Sequence, residues 1–98
     1  MAAKGYVFSA AITTSATQLS ATSKNTQYGF TIKAPAANTG TVYFGYANTV
    51  TGGTSTTFDG MPLAAGESYY IPRAAADDVN DIWAIGSTGT QKLHVEGC

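Results

Sequence analysis

A chain of 98 residues that is 44% hydrophobic carries enough apolar side chain for one folded domain and is not disordered by composition. Charged residues make up only 11%, the net charge is −1, and the cations Lys4, Lys24, Lys33, Arg73 and Lys92 are scattered, which excludes a basic stripe for nucleic acid and an electrostatic membrane anchor. No apolar run approaches the ~18 residues of a membrane helix, and a single cysteine, Cys98, excludes an internal disulfide.

Met-Ala-Ala-Lys-Gly leads into an apolar stretch broken by Ser9, Thr13 and Thr14, too short and too polar for a secretory core, so synthesis in the cytoplasm is expected. Tyr6, Phe8, Ala10 and Ile12 share one parity, the mark of a strand with one apolar face. Residues 1–27 are read as an N-terminal arm or edge strand. Leu19, between Gln18 and Ser20, marks a short second run. The cleanest alternation follows: Tyr28, Phe30, Ile32 and Ala34 against Gln27, Gly29, Thr31 and Lys33. Pro35 ends that strand and Asn38-Thr39-Gly40 turns the chain.

Thr41 to Tyr46 is the next strand, with Val42, Phe44 and Tyr46 as its inward set. Residues 47–57 are rich in Gly, Thr and Ser and form a long loop or a weak edge hairpin. Gly60-Met61-Pro62-Leu63 and Ala65-Gly66-Glu67 bracket another connection. Ser68 to Pro72 is a strand with Tyr69 and Ile71 on one parity and Tyr70 on the other. Ala74-Ala75-Ala76 makes a helical turn plausible between Arg73 and Asp78. Asp81 to Gly86 is apolar on both parities, so it is a central strand or one that faces a partner. Ser87-Thr88-Gly89 turns the chain into the last strand, Gln91 to Glu96, with Leu93 and Val95 inward and Lys92, His94 and Glu96 outward. Short strands at this spacing imply a two-sheet sandwich or a small barrel. The fold class expected is all-β: a small antiparallel, jelly-roll-like β-sandwich, with residues 1–98 as one domain.

The chain offers little for catalysis. His94 is its only histidine, which rules out a zinc site of several imidazoles, and no G-x-S-x-G elbow supplies a nucleophile. Cys98 stands at the last position, where a thiol is poorly held for chemistry. Asp77-Asp78-Val79-Asn80-Asp81 collects oxygen ligands, but its spacing departs from the twelve-residue calcium loop, and a turn bonded back to its own amides is the expected structure. No catalytic, cofactor or metal residue is assigned, and the protein is not expected to be an enzyme.

The aromatic residues point elsewhere. Six Tyr, four Phe and one Trp exceed what one face of so small a core needs. Tyr43, Tyr70 and Trp83 lie off the inward parity. Either loops cover them, or they form a contact surface of the kind Tyr and Trp favour, or they stack on carbohydrate. Together with Tyr6 and Phe8 they are the candidate interface residues.

Phe30-Thr31-Ile32-Lys33-Ala34, Asn38 to Gly45, Pro62 to Ser68, Asp81 to Gly86 and Leu93 to Gly97 follow in an order that resembles small structural proteins of tailed bacteriophages, the capsid decoration or cement proteins and related virion accessory domains. The resemblance spans roughly residues 28–97. It implies a β-sandwich on the capsid surface of the virion, often a homotrimer, that binds the major capsid protein and locks neighbouring subunits together. A tail or fibre accessory domain is the alternative within the same resemblance. Outside the resemblance, a carbohydrate-binding module using Tyr43, Tyr70 or Trp83 is the other reading.

Overall fold

A computed structural model describes residues 5–98. Its strands are β1 (Tyr6–Ile12), β2 (Thr17–Gln18), β3 (Phe30–Lys33), β4 (Val42–Gly45), β5 (Met61–Leu63), β6 (Ser68–Ile71), β7 (Trp83–Gly86) and β8 (Gln91–Gly97), with one 3-10 turn at Val79–Asp81. They make two antiparallel four-stranded sheets, ordered β1-β8-β3-β6 and β2-β7-β4-β5, packed together as a small β-sandwich.

The pairing has a simple logic. β1 pairs with β8, β2 with β7, β3 with β6 and β4 with β5, so each early strand meets its mirror in the later half. The chain is therefore one long two-stranded ribbon, closed by the β4–β5 hairpin and folded over itself. The ribbon continues across the corners between the sheets. At one corner Leu19 N–H bonds Ile82 O at 2.9 Å, Val79 N–H bonds Lys24 O at 3.0 Å and Thr26 N–H bonds Asp77 O at 2.9 Å. At the other, Ala34 N–H bonds Glu67 O at 2.8 Å and Gly66 N–H bonds Ala34 O at 2.7 Å. Two further ladders, β3–β8 and β4–β7, join successive turns of the ribbon within each sheet.

Alternation puts Phe30, Ile32, Ile71, Leu93 and Val95 of one sheet against Val42, Phe44, Leu63 and Ala84 of the other. Ile12, Leu19, Ala34, Ala76, Val79 and Ile82 complete this core, and each fully buried Val, Leu, Ile or Phe side chain contributes about 1.5–3 kcal/mol. Gln91 is buried too. Its Oε1 accepts the Thr39 and Gly40 N–H groups at 2.9 and 3.1 Å, and its Nε2 donates to Thr88 O at 2.5 Å, so one side chain ties two turns to the end of β8. Asn38 mimics a strand beside them, exchanging two hydrogen bonds with the backbone of Lys92.

Three local expectations are corrected. Tyr28 does not share the buried face of Phe30 and Ile32 but is 63% exposed, because the strand begins only at Phe30. Gly29 turns the chain there with φ 111°, and a Cβ at Gly29 would lie 2.6 Å from Ile71 O. Tyr46 is likewise exposed rather than inward, since β4 stops at Gly45. The helical turn after β6 closes early, with Ala75 and Ala76 N–H groups bonded to Pro72 O, and the 3-10 turn forms after Asp78 instead of before it. Asp78 decides this. Its Oδ1 accepts the Lys24 and Asn80 N–H groups, both at 2.9 Å, and its Oδ2 accepts from the Ser23 hydroxyl.

Asp78 thus caps the turn and pins the ribbon corner, where Asn25 and Asp78 also form a β-bridge. Burial alone would raise its pKa, but the hydrogen bonds from Ser23, Asn80 and Lys24 outweigh burial and hold it below the ordinary carboxylate value. A depressed folded-state pKa contributes stability that is present above the unfolded value and is lost as pH falls through the folded one. Asp78→Asn is expected to lower stability at neutral pH by roughly 1–3 kcal/mol and to flatten the loss of stability below about pH 4. Urea unfolding as a function of pH measures both. Gly97 lies between Tyr6 and Phe30, and a Cβ there would meet Phe30 Cβ at 2.6 Å and Tyr6 Oη at 2.8 Å. Gly97→Ala is expected to cost about 1–3 kcal/mol by overpacking in the same assay.

Candidate binding surface

The five sequence-chosen aromatics do not form one site. Tyr6 and Phe8 lie on the inward face of β1, half-buried, with ring centroids 6.4 Å apart, and the Lys24 ammonium sits 5.4 Å from the centre of the Phe8 ring. Tyr43 and Trp83 are half-buried on the outer face of the other sheet. Tyr43 stands opposite Ile85, and the Gly52 backbone packs on its ring so closely that a Cβ there would touch it at 3.0 Å. A loop therefore covers part of that face. Only Tyr70, on the outer face of β6, is openly exposed, at 54%.

Tyr70 belongs to a row set by strand register. Val7, Glu96, Thr31 and Tyr70 lie side by side across β1, β8, β3 and β6. The row lines a cleft of about 530 Å³, together with Tyr6, Tyr28 and Cys98 among others. The Tyr70 hydroxyl donates to the Tyr28 backbone carbonyl, which holds the Tyr70 ring at its rim. The Tyr6 hydroxyl is buried beside Thr26, whose own hydroxyl lies within bonding distance of the Gly29 and Cys98 carbonyls, and among the described residues it has no hydrogen-bond partner. Burial raises the Tyr6 pKa.

A second surface lies where β4, β5 and β6 meet. Tyr46, Phe58, Met61 and Tyr69 are exposed around a groove of about 390 Å³. Tyr69 shares the inward parity of Ile71, yet it sits on an edge strand and leans on Phe44 with ring centroids 5.2 Å apart instead of entering the core. Burial, and then the neighbouring Tyr69, raise the Tyr46 pKa. The loop that carries Phe58 is organised by one carboxylate. Asp59 Oδ1 accepts from the Thr51 hydroxyl at 2.7 Å and from the Gly53 and Ser55 N–H groups at 2.9 and 3.0 Å. The Thr51 hydrogen bond is the main reason its pKa is lowered.

His94 stands on the outer face of β8 between Ser9 and Lys33. Among the described residues no three His, Cys, Asp or Glu side chains converge as metal ligands, and no helix is long and apolar enough to cross a membrane. What the surface does present is apolar area beside ordered backbone, which suits contact with another macromolecule. Parity reasoning missed Tyr28, Tyr46 and Tyr69 by placing them inward. It missed Phe58 and Met61 because one ends the Gly-, Thr- and Ser-rich loop and the other opens the three-residue β5, where too little alternation exists to read.

Comparison with protein families, with characterised proteins and with solved structures finds no match for this chain.

Asp59→Ala is expected to free the Thr51–Asp59 loop while the sandwich stays folded. Hydrogen exchange at Gly53 and Ser55 should then speed up, with exchange in β3 and β8 unchanged.

Proposed function

We propose that this protein is a structural component of a tailed-phage virion, a decoration protein that binds the major capsid protein on the outside of the assembled head and, as a homo-oligomer, holds neighbouring subunits together. The reading rests on the resemblance described above and on one structural observation. In a chain with 11% charge, seven large apolar side chains are exposed among the described residues: Val7, Tyr28, Tyr46, Phe58, Met61, Tyr69 and Tyr70. Such a surface is costly in water and is expected to be covered in the working state. The strand order supports the same reading. A ribbon of eight strands rolled into two four-stranded sheets suits the jelly-roll architecture proposed here, one found in capsid domains.

The mechanism is linkage. A protein that binds only the assembled shell stabilises that shell by mass action, and many modest contacts add when copies bridge subunits. The groove bounded by Tyr46, Phe58, Met61 and Tyr69 is the proposed shell-facing surface. It combines aromatic anchors with a loop that Asp59 holds in place, so less conformational entropy is lost on binding.

Co-sedimentation with purified shells tests this. The protein is expected to pellet with mature heads, and Phe58→Ser with Met61→Ser to weaken binding by about tenfold or more without unfolding the domain. Failure of the unaltered chain to bind mature heads would reject the proposal.

A further inference from the structure

The four sheet edges differ in how well they are protected. β2 has two residues. β5 has three and contains Pro62, which cannot donate a ladder hydrogen bond. β6 has four and runs at once into Pro72. β1 has seven, pairs with β8 in continuous register from Tyr6 to Ile12, and contains no proline, charge or bulge. Those are the devices that ordinarily keep an edge from pairing with another chain. Its outer-face residues Val7, Ser9 and Ala11 are all exposed, Val7 at 73%. Among the described residues, no backbone hydrogen bond reaches β1 other than its ladder to β8.

We infer that β1 is an assembly edge, through which two copies of this chain pair antiparallel about a two-fold axis at Ser9 and join their four-stranded sheets into one. A second copy fits because the strand is self-complementary, as a two-fold contact requires. With Ser9 on the axis, Val7 of each copy faces Ala11 of the other on the outer side, and Phe8 faces Ala10 on the inner side. A large side chain thus meets a small one in the central pair on each face, Tyr6 faces Ile12 at the ends, and no like charges are opposed across the strands. The pairing also covers an inner face that one copy leaves half-open. β2 is only two residues long, so Tyr6, Phe8 and Ala10 are incompletely buried by the opposite sheet. This two-fold contact is separate from the three-fold grouping implied by the resemblance, and it stands whether or not the protein binds a shell.

Sedimentation velocity from low-micromolar to near-millimolar concentration is expected to show a monomer–dimer equilibrium. Val7→Lys with Ala11→Lys, both on the exposed face, should weaken it by about tenfold or more while leaving the melting temperature nearly unchanged. In a Cys98→Ser background, Ser9→Cys should form an interchain disulfide on mild oxidation, because a residue on the axis faces itself at roughly 4.5–5.5 Å between Cα atoms. Val7→Cys in the same background should not. A wild-type chain that is monomeric throughout, an oligomer indifferent to the lysine substitutions, or cross-linking at Val7 but not at Ser9 would each overturn the inference.

Discussion

Everything in this fold depends on one long-range condition: each strand of the first half must pair with its mirror in the second. The β4–β5 hairpin is the only pairing between consecutive strands; β1 has to wait for β8, which lies at the far end of the chain. Closing such distant contacts costs loop entropy before their packing repays it, so topologies of this kind fold more slowly than local ones. The corners are where the ribbon is most vulnerable, since the chain leaves one sheet and enters the other with its backbone groups needing partners. Asp78 and the Ala34–Glu67 pair supply them, one at each corner.

Rolling the ribbon also determines the surface. Strands in the middle of each sheet bury one face and have both edges satisfied; β1, β2, β5 and β6 are left at the margins. Brevity and proline protect three of these margins. The fourth is long, regular and uncharged, and it sits beside an inner face that its short partner sheet does not fully cover. Exposed aromatics gather at the same margins, because an inward-pointing side chain on an edge strand, such as Tyr69, has core on one side only. Low charge means that little repulsion opposes association at these places. The surface and the topology are therefore consequences of the same geometry.

Much of this was legible from residue order. The alternations of Phe30 with Ile32, Val42 with Phe44, and Leu93 with Val95 mark buried strand faces that the packing uses as expected. The run from Asp81 to Gly86, apolar on both parities, holds β7 (Trp83–Gly86), an internal strand of its sheet, while Asp81 ends the 3-10 turn before it. The Asp77–Asp81 segment forms the turn that its side chains imply. Less legible were the strand ends. Parity extends indefinitely on paper, whereas Gly29 and Gly45 end the regular backbone and release Tyr28 and Tyr46 to solvent. The candidate surface was read least well. Which aromatics are exposed depends on loops such as the one over Tyr43, and a loop's resting place is set by contacts remote in the chain, like that of Asp59 with Thr51 and Gly53.

By itself the sequence determined an all-β chain, its strand periodicity and most of its core residues. These follow from side-chain chemistry and a two-residue period, both local properties. Only the tertiary structure decided which strands lie at the edges, which faces the loops cover and which apolar side chains reach solvent. Those depend on pairings between residues far apart in the chain, and no local pattern encodes them. The difference shows most plainly at β1. Its alternation marks Tyr6 to Ile12 as a strand with one apolar face, but only the sheet order shows that this strand has an open side.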